Sequence, residues 1–151
     1  MNPSVVITLS AVIVAIRDGE AVVLTVRPEG AAGLPFGPFA PQSDRTFELA
    51  LRNFVASQTG FELGYVEQLY TFGDRGRDAP RAEVGAGAAR VVSVGYLALT
   101  PSASADTAWA PWSRFFPWED WRKGRPDLID EGIKPALMTW AGKDAGRAAR
   151  A

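Results

Sequence analysis

The sequence predicts an α+β domain in which a mixed sheet carries two main helices. Three observations point there. Apolar, β-branched runs recur at residues 5–16, 21–26, 65–72 and 91–100. Between the second and third of these runs, the apolar period lengthens to that of a helix over residues 45–59. A second helical stretch closes the chain at residues 128–140. Strands interrupted by helices, without strict alternation, describe an α+β layered domain.

Each element has a local cause. Residues 5–16, VVITLSAVIVAI, read as a buried strand. The run has no basic leader and is shorter than the ~20 residues that span a membrane. Asp18-Gly19 is the strongest short hairpin signal, so residues 21–26 form the partner strand. The stretch RPEGAAGLPFGPFAPQSD is dense in glycine and proline and reads as a loop. Phe47, Ala50, Leu51, Phe54 and Val55 then fall on one helical face. Ser43 or Asp44 can cap the start of that helix. Gly60 can take the left-handed conformation that ends it.

Residues 65–72 alternate loosely as a strand, and residues 73–90 form an arginine-bearing loop. VVSVGYLALT is a strong strand, followed by a turn at PSASAD. Residues 107–118 hold a short edge strand broken by Pro111 and Pro117. Pro135 kinks the last helix or lies in its first turn. KDAGRAARA reads as a tail or the start of a linker, giving one domain over residues 1–142 and a tail over 143–151.

The 151 residues carry a net charge of −1, so nothing global draws the chain to nucleic acid or an anionic membrane. There is no cysteine and no histidine, which removes thiolate chemistry, zinc–cysteine sites and the commonest general base. Any metal would have to sit on oxygen ligands, as magnesium, manganese or calcium do. With no targeting segment in view, a cytoplasmic location is expected.

LPFGPF before the helix and TGF after it resemble the Nudix fold, whose signature reads G-x5-E-x7-R-E-U-x-E-E-x-G-U with U apolar. In that family the helix presents glutamates to magnesium, which bridges a diphosphate for attack by water. With the signature anchored on Gly60, Asn53 stands at the arginine and Phe54 at the first glutamate. Ser57 and Gln58 replace the metal-binding pair, and Arg45 replaces the upstream glutamate. Val55 and Phe61 fit the apolar positions, whereas Gly37 lies two residues too far upstream. The scaffold of the helix is kept and its acidic ligands are not.

Further along, YVEQLYTFGDRGRD, VVSVGYLALT and FFPWEDW resemble the segments that follow the signature in ADP-ribose-type Nudix proteins. Together with LPFGPF and LRNFVASQTGF they resemble the sensor domain of Nudix-related transcription regulators of NAD metabolism, the NrtR and NadQ type. The resemblance implies a Nudix-like α/β/α layered fold and a non-catalytic domain binding ADP-ribose or a related nucleotide. It also implies a homodimer, and DNA contact only through a C-terminal winged-helix domain absent from this chain.

The expected ligand set follows from that resemblance. Arg27, Arg75 and Arg77, with Arg81 as a further candidate, would hold phosphates, or are solvated loop arginines. Phe36 and Phe39 would stack a base, with Phe72 and Tyr96 nearby, though such rings are also common core residues. Asp74 and Asp78 would bind ribose hydroxyls or cap a turn. Arg52 would hold phosphate in place of magnesium, or pair with Glu48 at i, i+4. No cofactor is expected. Magnesium enters only for a hydrolase whose ligands have moved to Glu29, Glu62, Glu67, Glu83 and Glu119. A dimer scaffold without ligand is the remaining alternative.

Overall fold

The computed structural model describes residues 5–26, 32–74, 90–101, 103 and 108–142. The chain falls into two compact units, Met1–Ala110 and Pro111–Ala151.

In the first unit, β1 (Val5–Arg17) turns into β2 (Glu20–Leu24). Asp18 and Gly19 both have positive φ, 52° and 78°, which is the geometry of the tight hairpin turn the Asp-Gly pair signals. The loop expected after β2 contains a strand after all: β3 (Phe36–Pro38) pairs antiparallel with β1. Helix α1 (Phe47–Thr59) follows, then β4 (Glu67–Phe72), β5 (Arg90–Leu99) and β6 (Trp109–Pro111). The strands form a curved, unclosed, mixed six-stranded sheet in the order β4-β5-β1-β2-β6, with β3 on β1. β1 runs parallel to β5 from Val5 to Val14 and antiparallel to β2 and β3 along its other edge.

Strand alternation gives β1 two faces. Leu9, Ala11, Ile13 and Ala15 are buried on one of them. On this face Leu9, Ala11 and Ile13 cluster with Val94 and Tyr96 of β5 and Ala50, Leu51 and Val55 of α1, so the expected apolar stripe of the helix is the one that packs. The helix is capped two residues past Asp44, the nearer of the expected caps, by Thr46. Thr46 Oγ1 accepts from the Leu49 N–H at 3.2 Å. Asp44 is engaged elsewhere, accepting the Ala40 N–H at 2.7 Å. Gly60 ends the helix at φ 69°, donating to the Ala56 carbonyl.

The second unit opens with short 3-10 turns at Trp112–Arg114 and Pro117–Glu119. Trp112 stacks on Phe116, which meets Trp118 edge to face. A wide π turn, Ile129–Ile133, leads into α2 (Lys134–Ala141). Pro135 lies in the first turn of α2, where its missing N–H is tolerated. No described helix is long and apolar enough to cross a membrane.

Candidate functional site

The sheet face turned away from α1 is defined by register, because paired residues share a face. Phe36 pairs with Ser10, Ser10 with Gly95, and Gly95 with Tyr70. The next row is Pro38, Thr8, Ser93 and Phe72. Small residues thus form a floor, with Phe36 on one side and Tyr70 and Phe72 on the other. With strands about 4.8 Å apart, the walls stand about 14 Å from each other at the backbone.

Close contacts agree with this assignment. A Cβ on Gly95 would lie 3.6 Å from the Phe72 ring, an ordinary van der Waals contact, which puts that ring beside the floor. Tyr70 and Phe72 meet edge to face with centroids 4.8 Å apart. The hydroxyls of Thr8 and Ser93 lie 2.9 Å apart, a polar spot in the floor. Asp74 is exposed just beyond Phe72. These rows form a candidate groove with aromatic sides, whose floor is partly open at Ser10 and Ser93 and closed at the buried Thr8 and Gly95; aromatic sides of this kind suit a flat ring.

The sequence-predicted residues divide as follows. Phe36 and Phe72 share this face of the sheet on opposite sides of the floor, and Asp74 is exposed two residues after Phe72. Phe39 lies on the α1 side, edge-on to Phe47 at 4.6 Å and packed against the core. Tyr96 is also a core residue, and its phenol is pushed up by burial and by the nearby Glu48 carboxylate. Arg52 binds Glu48 through Nε and Nη2. It also donates to the Leu63 and Gly64 carbonyls, clasping the helix to the segment that follows it. Arg27, Arg75, Arg77, Arg81 and Asp78 lie outside the described residues.

The helix positions that would carry acids are occupied by internal contacts. Phe54 covers Gly37, where an added Cβ would meet the ring at 3.0 Å. Ser57 Oγ donates to the Phe54 carbonyl. Gln58 donates through Nε2 to the Phe36 carbonyl at 2.6 Å and accepts the Phe36 N–H on Oε1 at 3.2 Å. Among the described residues, no three carboxylates gather at any point. A magnesium ion needs several oxygen ligands, so this donor set does not fit one. Sequence reasoning missed the Gln58–Phe36 pair and the role of Tyr70. The available signal for Gln58 was an amide standing where an acid was expected, since an amide can donate.

No protein-family model matches the sequence, and no curated protein matches it. Solved structures do. The NUDIX domain of Shewanella oneidensis NrtR in complex with ADP ribose is 26% identical over 78% of this chain and 79% of that one, with a TM-score of 0.62. This is a Nudix-like fold. Shewanella oneidensis NrtR complexed with a 27mer DNA is 27% identical over 70% of this chain, with a TM-score of 0.54. The Nudix-like chain spans about half the length of that protein, 50% of it being covered. A MutT/nudix family protein from Enterococcus faecalis is 25% identical over 74% of this chain and 44% of that one, with a TM-score of 0.54. The fold, the curved mixed sheet and the resemblance to NrtR therefore stand as the sequence implied.

Proposed function

We propose that this chain is a non-catalytic, Nudix-like sensor that binds ADP-ribose or a related NAD-metabolism nucleotide as the effector-binding part of a transcriptional regulator. One observation carries the reading. On a scaffold resembling an ADP-ribose-bound NrtR domain, the positions of the metal-binding acids hold Phe54, Ser57 and Gln58, each engaged in internal contacts. In this reading Phe36 and Phe72 would stack the base, and Asp74 would bind ribose hydroxyls. Arg27, Arg75 and Arg77 are the proposed phosphate ligands.

Binding would act by population shift, favouring one arrangement of a dimer whose DNA contacts come from a further domain. The similarity to an NrtR solved with DNA supports that part of the reading. Dimerisation is expected to show as a two-chain species in sedimentation velocity, and a strictly monomeric boundary at high concentration argues against it.

Phosphorus NMR of ADP-ribose with the protein and magnesium tests the proposal. Diphosphate resonances should broaden or shift with no new product over hours. Monophosphate peaks growing at a protein-dependent rate overturn it in favour of a hydrolase with relocated acids. Unchanged spectra leave a dimer scaffold as the better reading.

A further inference from the structure

β3 is a short edge strand, and its hydrogen-bond parity is fixed by its neighbours. The Ala11 N–H bonds the Pro35 carbonyl, and the Phe39 N–H bonds the Ile7 carbonyl, each at 2.9 Å. Residues 35 and 39 therefore turn their backbone groups toward β1. In an antiparallel ladder, the residue between such positions turns its N–H and carbonyl outward. Phe36, opposite Ser10, is in that position. Pro38, the other outward residue of β3, has no N–H to offer.

The two outward groups of Phe36 point to the edge of β3 that no strand pairs among the described residues. Instead the Gln58 side chain takes both, donating at 2.6 Å and accepting at 3.2 Å. A primary amide reproduces the donor and acceptor of a peptide group, so Gln58 acts as a one-residue strand partner reaching from the end of α1. The roles of its oxygen and nitrogen are fixed by this pairing, because the reversed amide would set oxygen against oxygen. A carboxylate could accept the N–H but would repel the carbonyl. An amide is therefore the side chain this contact requires at the position of a metal-binding acid.

We infer that Gln58 is a positioning residue for the nucleotide: by clamping the Phe36 backbone to α1, it fixes the Phe36 ring as one wall of the groove. The inference rests on the nucleotide-binding reading above. It joins two features that otherwise look unrelated, the loss of the acid and the presence of a binding wall beside it.

The test uses Gln58→Glu and Gln58→Met in the whole chain. ADP-ribose affinity is measured by calorimetry across pH, and the Phe36 amide is followed by NMR without ligand. At neutral pH both variants should bind roughly three- to tenfold more weakly than wild type, the size expected for one exposed hydrogen-bond pair. A neutral carboxylic acid, like an amide, both donates and accepts. The Glu variant should therefore recover, relative to wild type at the same pH, as pH falls through the ordinary glutamate value of about 4.3. Its Phe36 amide resonance should titrate in step, and the Met variant should stay weak throughout.

A Glu variant that matches wild type at neutral pH, or a Phe36 amide that does not titrate, overturns the inference. If wild type itself binds no ADP-ribose, the nucleotide reading fails. The Phe36 amide then decides alone whether Gln58 holds that wall.

Discussion

Phe36 and Phe39 looked equivalent in the sequence, two aromatics in one proline-bounded stretch. Their separation by three residues in an extended segment places them on opposite faces of the sheet. Phe36 shares a face with Ser10, whereas Phe39 meets Phe47 on the core side. Parity could not be applied before a strand was recognised, and glycine and proline hid a strand of three residues. The two rings should therefore respond differently to truncation. Phe36→Ala is expected to weaken ADP-ribose binding about tenfold, the scale of a lost ring–ring contact, with little effect on stability. Phe39→Ala is expected to cost about 2–3 kcal/mol in chemical denaturation and leave affinity nearly unchanged, since its ring is only partly buried. Equal affinity losses for the two variants would remove Phe36 from the groove wall. Arg52 teaches the same lesson. Its pairing with Glu48 was legible from i, i+4 spacing, but its bonds to Leu63 and Gly64 depend on how the chain returns after Gly60.

Most elements were legible because their causes are local. The Asp18-Gly19 turn, the apolar stripe of α1 and the Gly60 stop each depend on neighbours in sequence. β3 depends on pairing with β1, and the contact between α1 and β3 depends on both. Gly37 illustrates this. Its lack of a side chain is what admits Phe54, so the helix and strand approach closely at one point. The Gln58–Phe36 pair bridges 22 residues of chain at the same junction and was invisible to any local pattern. Gly37→Ala should push the added methyl against the Phe54 ring and destabilise the fold by about 1–3 kcal/mol, the usual range for overpacking. Adding Phe54→Ala should restore part of that loss, and a double-mutant cycle read by urea unfolding measures it. Additive losses would mean that Phe54 moves aside freely and does not pin α1 to β3.

At the scale of the whole chain, composition limited the chemistry but not its placement. The absence of histidine means that no imidazole titrates near neutrality, so stability should be flat there and bend only at the extremes. The acid bend belongs to the second unit. The Arg122 guanidinium beside Asp120 holds its carboxyl down to about 2, from an ordinary 3.8. Arg125, then Lys134, holds the Asp130 carboxyl below its ordinary value. A carboxyl depressed in the folded state stabilises above its unfolded value, and that contribution is lost as pH falls through the folded one. Asp130 is solvent-exposed and Asp120 partly so, and screening keeps the bend shallow. The alkaline bend belongs to the first unit. Tyr96, buried against α1 and close to Glu48, has its phenol raised above 10.0. Its contribution is fully present below the unfolded value and is lost as pH rises through the folded one. Thermal unfolding across pH should therefore show separable limbs. Asp120→Asn should flatten the fall between about pH 4 and 2 without touching the alkaline side. Tyr96→Phe should flatten the loss above about pH 10 without touching the acid side. If either substitution changed the opposite limb, the titrating groups would have been assigned to the wrong units.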